Sequence, residues 1–423
     1  GYIFEELIRK FSESYDEQAG AHFTSRDIIY LMTELLVAPE KAEIMAEGCT
    51  KTAYDMAMGT SQMLGCLTER LQDISEDASL TCFGQEFNPE TYAIAKADML
   101  IKGGNASGMK YGDTLSDDAF SGYEFDYIIS NPPFGIDWKR EKVQVEAEAK
   151  RGFDGRFGPG LPAISDGQML FMLNGVKKLK EGSGRMAIIQ NGSSLFTGDA
   201  GSGASAIRRY VIEGDLVEAI IQLPSDLFYN TGISTYIWVL TRGKDLHRGG
   251  KIQLIDASRC FVKRRKNIGS KRVDLDDACI DLILRAYEEF SNETYEENGL
   301  VVESKVFDNS YFGFTKVTVE TAQADKDGKP VLKKGKYQPV KGASDTEIIP
   351  LQDDIDEYMK KNVLPYNPLA YIDPAKDKIG YEVPFTRLFY KFVAPQSSAA
   401  IFEDIKTLEA EETILMKELF GHA

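Results

Sequence analysis

Asn131-Pro132-Pro133-Phe134 follows the apolar run Tyr127-Ile128-Ile129, with only Ser130 between. A buried strand that ends in Asn-Pro-Pro-aromatic suits methyl transfer to an amino group on a flat ring. Each proline fixes φ and removes a backbone donor, so the strand end is stiff. The Pro132 carbonyl and the Asn131 side-chain oxygen are then left to accept hydrogen bonds. An exocyclic NH2 has two hydrogens for two such acceptors. Donating both draws the nitrogen lone pair out of conjugation and towards an incoming methyl. Phe134 supplies a face on which a planar base stacks. The same residues also read as a proline turn closing a core strand, so the surrounding elements must decide between the two.

Those elements alternate. Residues 4–12 and 25–37 read as helices, the second with Ile28, Leu31 and Leu35 on one face. A polar elbow, Ala19 to Ser25, lies between them. Residues 52–58 read as a strand, then Gly59-Thr60-Ser61 and a helix through Leu71. Residues 80–86 make a second strand. Asn88-Pro89-Glu90 opens a helix with a good N-cap and Pro at its first position. Residues 125–130 make a third strand. Asp166 caps a helix through Leu179, and strands follow at 184–190, 216–223, 235–241 and 251–255. This alternation predicts an α/β fold with a doubly wound, mostly parallel sheet. Only the last strands, joined through Asn230-Thr231-Gly232, look antiparallel. Charged, Gly-rich residues 136–165 sit where a mobile lid would be placed, or form a plain insertion. Polar residues 321–346 read as a linker or surface excursion. The chain divides into a helical lead-in with the elbow (1–40), a catalytic domain (41–260), a basic segment and polar excursion (261–345), and a helical C-terminal region (346–423).

Composition bounds the chemistry. The 423 residues are 43% hydrophobic and 27% charged, which is ordinary for a soluble globular protein. No apolar stretch is long enough to cross a membrane. Five cysteines without a CxxC pair argue for a reducing cytoplasm and against a zinc site or disulfide framework. Three histidines argue against His-based metal or triad chemistry, so no metal is expected. The net charge of −17 predicts weak DNA binding by the chain alone. Either the substrate is not nucleic acid or another subunit supplies the grip.

In a doubly wound sheet the ligand lies at the carboxyl ends of the strands. Asp55 and Gly59 flank the first turn, where glycine permits close approach and a helix N-terminus favours a carboxylate. Glu86, ending the second strand, can accept both hydroxyls of a ribose. Asp113 comes before the third strand and can bind an adenine amino group. These residues suit a nucleoside with a charged amino-acid tail. The first loop, Gly59-Thr60-Ser61-Gln62, is not GxGxxG, so a dinucleotide is poorly supported.

The chain resembles the modification subunits of type I restriction–modification systems, which are N6-adenine DNA methyltransferases. The resemblance rests on Gly20 to Arg26, Tyr54 to Leu64, Gly84 to Tyr92, Gly112 to Leu115 and Ser130 to Phe134. It continues through Ser165 to Gln168, Asn191 to Ser193, Leu195 to Gly198, Leu223 to Leu240 and Ile379 to Arg387. It implies a Rossmann-like class I methyltransferase domain with S-adenosyl-L-methionine as cofactor. Ala21, His22, Phe23, Thr24, Ser25 and Arg26, with Gly59, Thr60 and Ser61, would border the methionine end beside Asp55. Glu86 would hold the ribose and Asp113 the adenine. Asn131, Pro132, Pro133 and Phe134 would hold the target adenine, flipped from the duplex. The family loop usually reads Asp-Pro-x-Cys-Gly-(Thr/Ser)-Gly. Here Met56, Met58 and Ser61 replace its Pro, Cys and second Gly, and Ser25 stands where Pro is usual in the elbow. Ser61 is expected to add a side chain where the cofactor tail approaches.

The resemblance also implies partners: DNA, a specificity subunit flanked by two modification subunits, and a restriction subunit. Arg259, Lys263, Arg264, Arg265, Lys266, Lys271 and Arg272 form a basic cluster. It reads either as contacts to DNA phosphates or as a solvated loop paired with acids such as Asp274. Ile401, Ile405, Leu408, Leu415 and Leu419 give the tail an apolar helix face that folds back or docks a partner helix. The rival functions are RNA or protein-amide methylation, and a non-catalytic scaffold that has lost cofactor through the altered first loop.

Overall fold

The structure, a computed structural model, describes residues 24–229, 231–392 and 396–420. The expected helix over 4–12, elbow residues Ala21, His22 and Phe23, and Asn230 lie outside the described residues. The chain divides into two compact units, one ending at Phe385 and one beginning at Thr386.

The first unit is built on β1 (Thr50–Asp55), β2 (Ser79–Glu86), β3 (Met109–Tyr111), β4 (Tyr127–Ser130), β5 (Arg185–Asn191), β6 (Val217–Gln222), β7 (Thr235–Thr241) and β8 (Lys251–Arg259). The hairpin β9 (Val262–Ile268) and β10 (Lys271–Asp274) stands apart. Two further strands, β11 (Thr294–Glu297) and β12 (Leu300–Asp308), complete a ten-stranded sheet in the order β11-β12-β8-β6-β7-β5-β4-β1-β2-β3. β1, β2, β3, β4 and β5 run parallel. β7 is antiparallel to both β5 and β6, while β8 returns parallel to β6. The order reverses between β1 and β4, the switch point at which doubly wound sheets bind ligands.

Helices cover both faces, as near-continuous apolar strands require. They are α1 (Arg26–Val37), α2 (Gln62–Ile74), α3 (Pro89–Ile101), α4 (Lys142–Ala149), α5 (Gln168–Lys177), α6 (Gly203–Glu213) and α7 (Asp277–Glu289). The expected cap at α3 is present: Asn88 Oδ1 accepts from the backbone N–H groups of Glu90 and Thr91. α1 buries Ile28, Ile29, Leu31, Met32, Leu35 and Leu36. At about 1.5–3 kcal/mol for each large apolar side chain, that burial is what holds the helix on the sheet.

Several elements differ from the sequence expectation. The first strand ends at Asp55 rather than Met58, because Asp55 Oδ1 accepts from Ala57 N and starts the turn. β3 is only three residues long, too short to show a period in sequence. Antiparallel pairing extends beyond β6 and β7 to β12 and β11. Residues 136–165 are not an open lid. They contain α4, bury Trp138, Val145 and Phe157, and are pinned by Arg156, whose guanidinium pairs with Glu148 at 2.7 Å and donates to the Thr114 carbonyl. Within 321–346 the chain forms the exposed hairpin β14 (Leu332–Lys333) and β15 (Lys336–Tyr337). It leaves a second sheet in which β13 (Gly313–Thr321) pairs with β16 (Asp345–Pro350), β17 (Ala370–Ile372) and β18 (Lys378–Tyr381). The second unit contains α8 (Ser398–Phe420), on which Ile401, Ile405, Leu408, Leu415 and Leu419 are exposed. Among the described residues no helix is long and apolar enough to cross a membrane.

Candidate active site

β4 delivers Asn131 to the switch point. Its Nδ2 donates to Thr24 Oγ1 at 2.9 Å, and its Oδ1 is buried without a hydrogen-bond partner. A buried carbonyl oxygen left bare costs about 1–3 kcal/mol and calls for an explanation. Pro132 is buried, while Pro133 and Phe134 are half-buried, with Phe134 packed against the main core.

The turn after Phe134 is held by residues whose roles no local sequence pattern discloses. Gly135 N donates to Asp166 Oδ1 at 3.2 Å. Gln168 Nε2 lies within hydrogen-bond distance of Asp166 Oδ2 (2.6 Å), Asn191 Oδ1 (2.8 Å) and Ser193 Oγ (2.6 Å), which share its two hydrogens. The Ser-Asp-Gly-Gln and Asn-Gly-Ser runs thus meet beneath the target loop, joining the start of α5 to the end of β5. The N-cap of α5 is Gly167 rather than the expected Asp166, whose Oδ1 lies one residue further out and accepts from Gln168 N at 3.2 Å.

Asp55, at the end of β1, is buried and accepts from Ser130 Oγ at 2.6 Å, tying β1 to β4 just before Asn131. Burial pushes its carboxyl up to about 7, against the lowering effect of the Ser130 and Ala57 bonds. Glu86 ends β2 half-buried. Its Oε2 accepts from Gly59 N at 2.9 Å and its Oε1 from Asn88 N at 2.8 Å. Burial raises its pKa, and those N–H bonds oppose the rise. Asp113 Oδ1 accepts from Leu115 N and Ser116 N, both at 2.8 Å, leaving Oδ2 without a hydrogen bond among the described residues.

Thr60 is half-buried beside Gly59. Gly59 has φ +52°, and a Cβ built there would meet nothing within 4 Å, so its outer side is open. Ser61 is in the left-handed region at φ +63°, where a glycine is easier. Contrary to expectation, its side chain does not intrude on the open side. It is fully buried, with Oγ 3.5 Å from the Ala95 carbonyl of α3. Met58 also turns inward, and a Cβ on Gly84 would lie 2.4 Å from its Sδ. Both loop substitutions therefore face the core. An open glycine, an acid at the end of β2 and a second acid after β3 fit a nucleoside with an amino-acid tail.

Thr24 and Ser25 are buried at the start of α1. Ser25 Oγ donates to Asp27 and accepts from Lys271 Nζ at 3.1 Å. Arg26 follows, its guanidinium 3.5 Å from the Tyr30 hydroxyl. The described residues thus join Thr24, Asp55 and Asn131 through hydrogen bonds or adjacency, and Glu86 to Gly59, while Asp113 stands in the loop after β3.

Sheet order and site position define a Rossmann-like class I methyltransferase fold. The chain matches the N-6 DNA Methylase family over residues 1–327 and belongs to it. It is 27% identical over 343 residues to the type I restriction enzyme HindI methylase subunit of Haemophilus influenzae, covering 79% of this chain and 71% of that protein. It is 26% identical over 368 residues to the MjaIX methylase subunit of Methanocaldococcus jannaschii, covering 85% of this chain and 59% of the relative. A solved type I restriction-modification methyltransferase subunit from Streptococcus thermophilus superposes with a TM-score of 0.59 at 26% identity, over 73% of this chain and 60% of that one. The chain thus spans less than two thirds of the length of the last two.

Proposed function

We propose that this chain is a modification subunit of a type I restriction–modification system, transferring a methyl group from S-adenosylmethionine to adenine N6 in DNA. The observation that carries this reading is the buried, unpartnered Asn131 Oδ1 at the tip of β4. It stands ready to accept one N6 hydrogen, and the Pro132 carbonyl accepts the other. Phe134 stacks on the base, which must leave the duplex to reach this depth. Glu86 holds the cofactor ribose and Asp113, through its bare Oδ2, the cofactor adenine. Thr24 to Arg26 and Gly59 to Ser61 border the methionine end beside Asp55. When bound, S-adenosylmethionine supplies an electrophilic methyl on a sulfonium. The chain's own contribution is to align N6 in line with it, so no covalent nucleophile is required. Asn131 and the Pro132 carbonyl would hold the N6 hydrogens while the methyl is accepted, and the displaced proton would leave to solvent.

The net charge of −17 disfavours DNA binding by this chain alone. A specificity subunit reading the sequence, flanked by two copies of this chain, reconciles that charge with a DNA substrate. A restriction subunit joins the same assembly, which works in the cytoplasm with the DNA it marks. The test is calorimetric titration with S-adenosylmethionine, then labelled-methyl transfer to plasmid DNA in the presence of the specificity subunit. N6-methyladenine as the labelled nucleoside supports the reading. Absence of cofactor binding refutes it.

A further inference from the structure

The seven cations from Arg259 to Arg272 do not share one role. Lys271 is buried, with Nζ 2.8 Å from Asp27 Oδ2, 3.1 Å from Ser25 Oγ and 3.0 Å from the Leu227 carbonyl. It anchors the hairpin and is out of reach of any outside anion. Arg264 pairs with Asp274. Lys263, Arg265, Lys266 and Arg272 are exposed and make no ion pair among the described residues. Four unpaired cations within ten residues, on a chain of net charge −17, repel one another unless an anion joins them.

Two of the four face a cleft of about 410 Å³, lined by Ser225 and Asp226 after β6, Ser258 of β8, and Lys263, Arg264 and Arg272 of the hairpin. The Asp226 carboxylate turns towards the neighbouring loop, since a Cβ on Gly232 would lie 2.6 Å from its Oδ1. The cleft sits at the carboxyl ends of β6 and β8, on the sheet edge where β4 presents Asn131. A short chain of bonds joins the two places: Lys271 to Ser25, and neighbouring Thr24 to Asn131. A flipped nucleotide keeps its phosphates, so a site that takes the base needs cations beside it for the backbone.

We propose that this cleft binds a backbone phosphate of the DNA strand carrying the flipped adenine, with Lys263 and Arg272 as its ligands. The inference rests on DNA being the substrate, as proposed above. Its test uses the full chain assembled with its specificity subunit, on a labelled adenine-containing duplex. DNA affinity is measured by anisotropy between about 50 and about 200 mM salt. The double variant Lys263→Ala, Arg272→Ala should bind about ten-fold more weakly at the lower salt. The slope of log affinity against log salt should fall by about one, for the single phosphate contact removed. Lys263→Arg, Arg272→Lys should keep both. Unchanged affinity and slope in the alanine variant, or no duplex binding by the unmutated assembly, overturns the proposal. S-adenosylmethionine affinity of the same preparations should be equal in all three proteins. Its absence from the unmutated protein counts against the methyltransferase reading, whereas a salt slope that does not respond counts against the cleft alone.

Discussion

Asn131 Nδ2 donates to Thr24 Oγ1 at 2.9 Å, which leaves the buried Oδ1 of the same amide without a partner. If Asn131 holds the target amine as proposed, the threonine hydroxyl decides which end of the amide that amine meets. Thr24→Val keeps the shape and removes the acceptor, leaving Nδ2 buried and unpaired at a cost of about 1–3 kcal/mol. The methyl-transfer rate should fall about ten-fold or more, and Thr24→Ser should restore it. Single-turnover rates measured beside cofactor affinity check this. A loss confined to cofactor affinity would place Thr24 in the cofactor site instead.

Phe134 lies half-buried just past the two prolines. Stacking of a base on an aromatic ring is worth about 1–3 kcal/mol. Phe134→Ala should therefore weaken productive DNA binding by about five-fold or more while leaving S-adenosylmethionine binding in place. Phe134→Trp should retain most activity. Steady-state KM for DNA is the measurement.

The two ends of this site differ in how openly the sequence announces them. Asn131 to Phe134 and Glu86 are legible because each sits at the end of an apolar run, and strand ends are where a doubly wound sheet places its ligand. The Thr24–Asn131 bond joins residues 107 positions apart, and no local pattern encodes it. Residues 136–165 look like a lid because charge dominates them, and the few apolar residues that bury them, Trp138, Val145 and Phe157, have no period. Lys271 looks like a surface cation because charge says nothing of burial. Only the fold reveals that Asp27 waits for it.

Removing that buried ammonium should be costly. Lys271→Met leaves the Asp27 carboxylate with the Leu275 N–H and the Ser25 hydroxyl but no cation. Breaking a buried pair on one side typically costs about 3–5 kcal/mol. Urea denaturation should show a loss of that size, and a loss below about 1 kcal/mol would mean the pair contributes no more than a surface one.

Asp55 should make stability depend on pH. Its carboxyl moves from 3.8 to about 7 on burial in the fold. Between those values the folded chain holds a proton that the unfolded chain has released. Its contribution to stability therefore falls as pH rises through that window and is lost above about 7. Asp55→Asn should flatten this slope relative to the unmutated chain, with the gap between them widest near pH 8. Denaturant midpoints from pH 4 to pH 8 report it. Parallel curves for the two proteins would contradict it.

The central claim is that Asn131 acts on the target amine and not on the cofactor. Single-turnover transfer of a labelled methyl group to duplex DNA, with Asn131→Ala compared to the unmutated chain at matched cofactor occupancy, tests it most directly. The account predicts a rate lower by about 100-fold or more, in the range found when one preorganised hydrogen bond is removed from a reacting centre, with S-adenosylmethionine affinity unchanged. An unaltered transfer rate, or a defect explained wholly by lost cofactor, would contradict it.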